Sequence, residues 1–273
     1  MSDWKNLFPK DNIFYETENG ILYNGDCLEI MSKFPENSVD LVLTDPPYGT
    51  TACSWDAIIP FESMWRELKR VRKENTAIVL FGTEPFSSLL RVSNLQEYRY
   101  DWIWDKVIGT NYLNAKKMHT KGFEKISVFY KKLPVYNPQM ENGKPYFDKR
   151  KNKQKERIKK EIYKSIPLQQ GRINDGVRFP RGIIKISART NNPFHPTQKP
   201  LALMEYLIKT YSNEGDLVLD FTCGSGTTLV ACERLNRKWI GIEINQEYCK
   251  ISKFRIEKEL KNKKNKLKNK LFE

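Results

Sequence analysis

The sequence predicts an α/β fold built on an open, mostly parallel sheet, and three observations carry that prediction. Two short apolar runs, Val39–Thr44 and Leu217–Asp220, read as buried strands that stop abruptly at a turn. The segment Phe221–Thr228, with glycines at 224 and 226, leads from the second run directly into an apolar helix, Leu229–Leu235. Helical and strand patterns then alternate along most of the chain, as parallel strands joined by crossover helices require.

Taken in order, Gly20–Asn24 reads as a short strand, followed by a helix over Cys27–Phe34 for which Asp26 is a suitable N-cap. Val39–Thr44 is stopped by Pro46 and Pro47, neither of which can donate to a sheet ladder. An amphipathic helix is expected over Phe61–Lys73, a buried strand over Thr76–Gly82 and a helix over Pro85–Leu95. Tyr98–Lys106 and Ile126–Lys132 read as strands, and Ile108–Phe123 between them as a loop. Residues 133–190 break the rhythm and read as an insertion, with an exposed charged helix over Lys149–Lys164. The α/β pattern resumes with Leu217–Asp220, the glycine loop and its helix, and the strand Lys238–Ile244. The chain thus divides into 1–132, 133–190, 191–256 and a basic tail, 257–273, whose lysine-rich end is expected to be frayed.

Charge narrows the partner. The 273 residues carry a formal +14, and residues 131–190 alone hold 17 Lys or Arg against 5 Asp or Glu. Residues 250–273 hold 10 basic residues against 3 acidic ones, so the remainder of the chain is net acidic and the positive charge is concentrated where a polyanion would be met. The insertion reads as a surface that neutralises phosphates and meets base edges, with a merely solvated charged segment as the alternative. Cysteines 27, 53, 223, 232 and 249 are odd in number and lack CxxC spacing, as expected of free thiols in a reducing compartment. No apolar stretch approaches the ~20 residues that span a bilayer, and Met1–Lys10 has no secretion-signal pattern. With two histidines and no ligand spacing, no catalytic metal is expected.

The tetrapeptide Asp45-Pro46-Pro47-Tyr48 places a carboxylate, a prolyl carbonyl and an aromatic ring together at the carboxyl end of a strand, where open α/β sheets bind ligands. The carboxylate and carbonyl can accept the two N–H bonds of an amino group on a flat heterocycle, and the ring can stack on it. The alternative is an ordinary Pro-rich turn. Gly224 and Gly226 permit close backbone approach at a helix start, and Glu243 ends the next strand about 20 residues on, where nucleotide-binding βαβ units keep a carboxylate for ribose hydroxyls.

These motifs together resemble the S-adenosylmethionine-dependent DNA amino-methyltransferases, which modify the exocyclic nitrogen of adenine or cytosine. Their order, with Asp45–Tyr48 first and Phe221–Gly226 last, resembles that of the β class, and the likeness extends from about Gly20 to Phe254. The resemblance implies a Rossmann-like methyltransferase sheet with circularly permuted motifs and an inserted target-recognition region at 133–190. It implies catalytic roles for Asp45, Pro46, Pro47 and Tyr48. It also implies S-adenosyl-L-methionine contacts from Asp26, Cys27, Asp45, Thr197, Lys199, Asp220, Phe221, Cys223, Gly224, Ser225, Gly226, Thr227 and Glu243. Asp26 serves equally well as an N-cap alone. Thr197 and Lys199 would face the methionine carboxylate, while His195 reads as a turn histidine. Arg172, Arg178, Arg181 and Arg189 are candidate DNA contacts, with the loop Ile108–Phe123 over the target base. The implied partner is double-stranded DNA, with a cognate restriction endonuclease and a homodimer as further associations and a cytoplasmic location. Adenine N6 is the expected target because DPPY accompanies adenine in this family more often than cytosine. The alternatives are cytosine N4 and a catalytically silent DNA-binding relative.

Overall fold

A computed structural model describes residues 4–50, 56–148, 172–189 and 198–271. The chain forms two compact units, one of Met1–Asn137 with Gly182–Glu273 and the other of Pro138–Arg181.

The larger unit is a nine-stranded sheet. Its strands are β1 (Ile13–Glu16), β2 (Gly20–Asn24), β3 (Val39–Thr44), β4 (Arg72–Gly82), β5 (Tyr98–Thr110), β6 (Lys121–Phe129), β11 (Ile183–Lys185), β12 (Leu217–Asp220) and β13 (Lys238–Glu243). They lie in the order β1-β2-β13-β12-β3-β4-β6-β5-β11. The five strands from β2 to β4 are mutually parallel, and β1, β6 and β5 supply the antiparallel pairings. The predicted open, mostly parallel sheet is therefore the one observed.

Helices cover both faces because the central strands alternate apolar side chains to both sides. Val42, Ile78 and Leu80 pack with α1 (Cys27–Ser32), α2 (Phe61–Val71) and α3 (Phe86–Ser93), through Met31, Trp65, Leu68 and Leu90. Leu41, Leu43, Val79 and Phe81 pack with α4 (Leu201–Tyr211), α5 (Thr227–Arg234) and α6 (Gln246–Leu271), through Leu203, Leu207, Leu229 and Ile256.

Four features depart from the sequence expectation. Strand β1 pairs antiparallel with β2 at the sheet edge. Strands β5 and β6 run on into what was expected to be a loop, so only 111–120 separate them, with a 3-10 turn at Tyr112–Asn114. The tail is helical, since α6 continues to Leu271. Ile183–Lys185 belongs to the sheet rather than the insertion. It pairs parallel with β5 and buries Ile184, and Ala188 N donates to Lys106 O beyond it.

The smaller unit holds two short antiparallel pairs, β7 (Glu141–Asn142) with β10 (Val177–Arg178) and β8 (Tyr146–Asp148) with β9 (Arg172–Asn174). The helix expected over Lys149–Lys164 lies outside the described residues.

Candidate active site

The carboxyl ends of β2, β13, β12, β3 and β4 open onto a cavity of about 670 Å³. Asp26 and Cys27 lie beyond β2, Glu243 ends β13, Asp220 ends β12 and Asp45 follows β3. The β5–β6 hairpin adds Lys106, Thr110, Lys121 and Glu124, and the segment before α4 adds Gln198 and Lys199.

Two prolines end β3 by withholding N–H donors. The turn they start is then pinned from below by Asp56, whose carboxylate accepts from the backbone N–H of Tyr48 at 2.8 Å, Gly49 at 3.0 Å and Thr50 at 2.9 Å. Gly49 has φ +66°, a conformation that favours glycine. The Tyr48 ring lies 5.0 Å from that of Phe86, tilted by 33°. Its hydroxyl donates to Asp45 Oδ1, and Lys199 Nζ donates to Asp45 Oδ2 at 2.5 Å. Lys199 also lies 3.3 Å from Glu124 Oε2, and Lys106 Nζ lies 2.5 Å from Glu124 Oε1. Two carboxylates and two ammonium groups thus alternate along one wall.

Burial pushes the Asp45 carboxyl up, and Lys199 opposes it. The Asp45 side chain keeps 22% of its surface exposed and lies directly against the Lys199 ammonium, which favours its carboxylate form. Burial lowers the Lys199 ammonium, but the facing Asp45 and Glu124 carboxylates raise it overall, and it stays charged. Burial likewise works against Glu124 as a carboxylate, yet Lys199 and Lys106 hold it below its usual range.

The glycine end is built from β12, its loop and β13. Glu243 accepts from Gly224 N at 2.8 Å and Asn245 N at 2.8 Å, so its carboxylate fastens the loop to the strand end. Gly224 has φ +54°, and a Cβ there would meet nothing within 4 Å, so the loop presents bare backbone to open space. Gly226, at φ +74°, has the opposite constraint: a Cβ would come within 2.7 Å of Ser252 Oγ. Asp220 is buried and accepts from Thr44 Oγ1 at 2.8 Å, while Thr44 accepts from Phe221 N at 3.0 Å, which ties β12 to β3. Burial raises the Asp220 carboxyl to about 7, against the hydrogen bonds that favour its charged form. Burial also pushes the Cys27 thiol up to about 12, which removes it from nucleophilic chemistry.

The structure therefore brings Asp26, Cys27, Asp45, Pro46, Pro47, Tyr48, Lys199, Asp220, Phe221, Cys223, Gly224, Ser225, Thr227 and Glu243 to one cavity. Gly226 stands behind it as the cap of α5. Asp26 is an N-cap, its Oδ1 accepting from Leu28 N at 2.8 Å and Glu29 N at 3.0 Å. Thr197 lies outside the described residues. Arg178, Arg181 and Arg189 are exposed; Arg178 and Arg181 belong to the smaller unit and Arg189 to the larger, while Arg172 enters β9. Asp56, Lys106 and Glu124 were not foreseen. Glu124 had a legible signal, since a strand through Ile126 and Val128 puts this acid on their apolar face.

Residues 39–254 match the family described as DNA methylase, the N6/N4 methyltransferases. The chain belongs to that family. It is 31% identical over 247 residues to the type II methyltransferase M.HpaI of Haemophilus parainfluenzae, a match covering 86% of this chain and 73% of that protein. It is 30% identical over 259 residues to the DNA adenine methyltransferase YhdJ of Escherichia coli strain K12, covering 89% and 84%. The M1.HpyAVI–SAM complex superposes with a TM-score of 0.58 at 26% identity, covering 86% of this chain and 98% of that one. The cytosine-N4-specific PvuII DNA methyltransferase superposes at 0.64, covering 90% and 89%, and its 21% identity speaks to the fold alone.

Proposed function

We propose that this protein transfers a methyl group from S-adenosylmethionine to the exocyclic N6 of adenine in double-stranded DNA, acting on a base flipped out of the helix. The observation that carries the reading is that Asp45 and Tyr48, at the end of β3, share one cavity with the Gly224 loop and Glu243.

The cavity suits such a cofactor. Glu243 is a carboxylate fixed at a strand end beside backbone with no side chain in the way at Gly224, and Asp26 and Phe221 flank it. Glu243 and Asp26 are assigned to the polar groups of the nucleoside and Phe221 to its apolar contact. S-Adenosylmethionine supplies a methyl group activated on a sulfonium. The chain's own residues act on the amine. An aromatic amine is a weak nucleophile because its lone pair is conjugated into the ring; Asp45 and the Pro46 carbonyl accept its hydrogens and favour a pyramidal nitrogen. As positive charge develops there, the carboxylate and the carbonyl dipole stabilise it. Tyr48 stacks on the base and offsets part of an unstacking cost of a few kcal/mol. Arg172, Arg178, Arg181 and Arg189 are assigned to DNA.

Adenine is preferred because the tetrapeptide is DPPY and because YhdJ, similar over most of this chain, is named an adenine methyltransferase. The test is sequencing of modified bases in DNA from cells expressing the protein. N6-methyladenine at one sequence context is expected. N4-methylcytosine would move the target to cytosine, and no modification together with no cofactor consumption would make the chain a silent relative.

A further inference from the structure

Lys199 sits on an acceptor that a target amine would use. Asp45 has two carboxylate oxygens, one engaged by the Tyr48 hydroxyl and the other by Lys199 Nζ at 2.5 Å. An incoming amino group competes with that ammonium for the charge and lone pairs of Asp45, and an ammonium drawn away from it cannot be left without a counter-charge in a site where only 6% of its side chain is exposed. The wall of the cavity already holds a second position for it. Glu124 Oε2 is buried and stands 3.3 Å from Lys199 Nζ, a longer contact than the 2.5 Å one to Asp45. The other oxygen of Glu124 is held at 2.5 Å by Lys106, so the carboxylate is fixed while Oε2 faces Lys199.

Resting on the methyl-transfer reading, we propose that Glu124 is a positioning residue that receives the Lys199 ammonium when the target amine binds Asp45, so that the lysine moves between two carboxylates as the base enters and leaves. In the base-free state Lys199 keeps Asp45 ionised and directed into the cavity. In the base-bound state it turns to Glu124 Oε2, and Asp45 Oδ2 becomes available to an amine hydrogen. No bond is formed or broken in this exchange, and no proton changes owner. Lys106 prevents the collapse of Glu124 onto Lys199 in the base-free state, because it holds the carboxylate from the far side. The ring centroids of Phe81 and Tyr48 lie 5.2 Å and 6.0 Å from Lys199 Nζ.

The test begins with the parental protein on genomic DNA, which settles whether methyl transfer occurs at all. If it does not, the functional reading fails before the present inference is reached. Given transfer, Glu124→Gln should lower the single-turnover rate about tenfold to hundredfold, the worth of a hydrogen bond to a charged group, while the dissociation constant for S-adenosylmethionine stays within about twofold. Glu124→Asp, which keeps the charge, should recover part of the rate. A Glu124→Gln protein at the parental rate, or Gln and Asp variants equally slow, would overturn the proposal. Should either variant fail to fold, a structure of the parental protein with a cofactor analogue and DNA carrying the modified site decides: Lys199 Nζ should lie closer to Glu124 than to Asp45, and its retention on Asp45 Oδ2 with the base bound would overturn the exchange.

Discussion

Replacement of Glu243 separates the loop contacts its carboxylate makes from the cofactor contact proposed for it. Its oxygens accept from Gly224 N and Asn245 N, both at 2.8 Å, and its side chain is 8% exposed. In Glu243→Gln the amide oxygen can keep one of these N–H groups, but the NH2 is then turned against the other, which leaves one buried donor without an acceptor. Such a loss at a charged acceptor is worth about 1.5–3 kcal/mol. At roughly 2–4 °C per kcal/mol for a chain approaching this size, the thermal midpoint should fall by about 3–12 °C. The proposed cofactor contact is independent of the loop contacts. Loss of the negative charge proposed to face two ribose hydroxyls should weaken S-adenosylmethionine about tenfold to hundredfold, measured by calorimetric titration well below the midpoint. Burial also raises the Glu243 carboxyl, so in the parental protein affinity should decline as pH falls toward that raised value and the carboxylate is protonated. A variant with a lowered midpoint and an unchanged dissociation constant would refute the assignment: Glu243 would then be a clamp for the glycine loop and nothing more.

Three further outcomes are expected. Asp45→Asn should abolish methyl transfer to DNA while calorimetry shows the cofactor dissociation constant within about threefold, since the carboxylate is assigned to the amine; transfer near the parental rate would refute that assignment. Gly226→Ala should lower the thermal midpoint by the equivalent of about 1–3 kcal/mol, because its φ is +74° and its Cβ would meet Ser252 at 2.7 Å. Gly224→Ala, facing open space, should instead weaken cofactor binding more than it weakens the fold, and equal effects on both measurements at both sites would count against this division. Asp220→Asn should flatten the pH dependence of stability. An acid raised to about 7 in the folded chain binds its proton more tightly there than in the unfolded chain, so parental stability should decline from about pH 4 to pH 7 through this group and stay low above it. Thermal unfolding at pH 5 and pH 8 should therefore show a smaller difference in the variant, and an equal or larger one would place the pH dependence elsewhere.

What was legible in the sequence is what short-range chemistry decides. Val39–Thr44 and Leu217–Asp220 were read to the residue because their apolar runs are ended by prolines on one side and a glycine loop on the other. The cavity residues at those strand ends follow from the same punctuation. The hairpin formed by β5 and β6 was read as two shorter strands because Val107, Thr110, Lys121 and Phe123 are exposed or half-exposed and mixed in polarity; they pair because each supplies the other's backbone partners. Strand β11 has only one buried side chain, Ile184, and exists because β5 offers it an edge. The partnership of Lys199 with Asp45 was hidden for a related reason. The two are 154 residues apart, and no local pattern in either segment states that they meet.

The hydrogen bond from Thr44 to Asp220 has a consequence for how the protein comes into being. Strand β3 is made before its neighbour β12, and the residues that join them lie 176 positions apart along the chain. Until that later strand has been translated, β3 has a partner only in β4, and the edge it will offer to β12 remains open. Pairing at such sequence separation is slow because a long loop must close before its contacts can reward it. Assembly of the reacting centre is thus deferred until β12 has been translated. Until then a nascent chain carries the DPPY tetrapeptide without the wall that would let it work, and a chain cut short anywhere before residue 217 should be inert toward DNA bases.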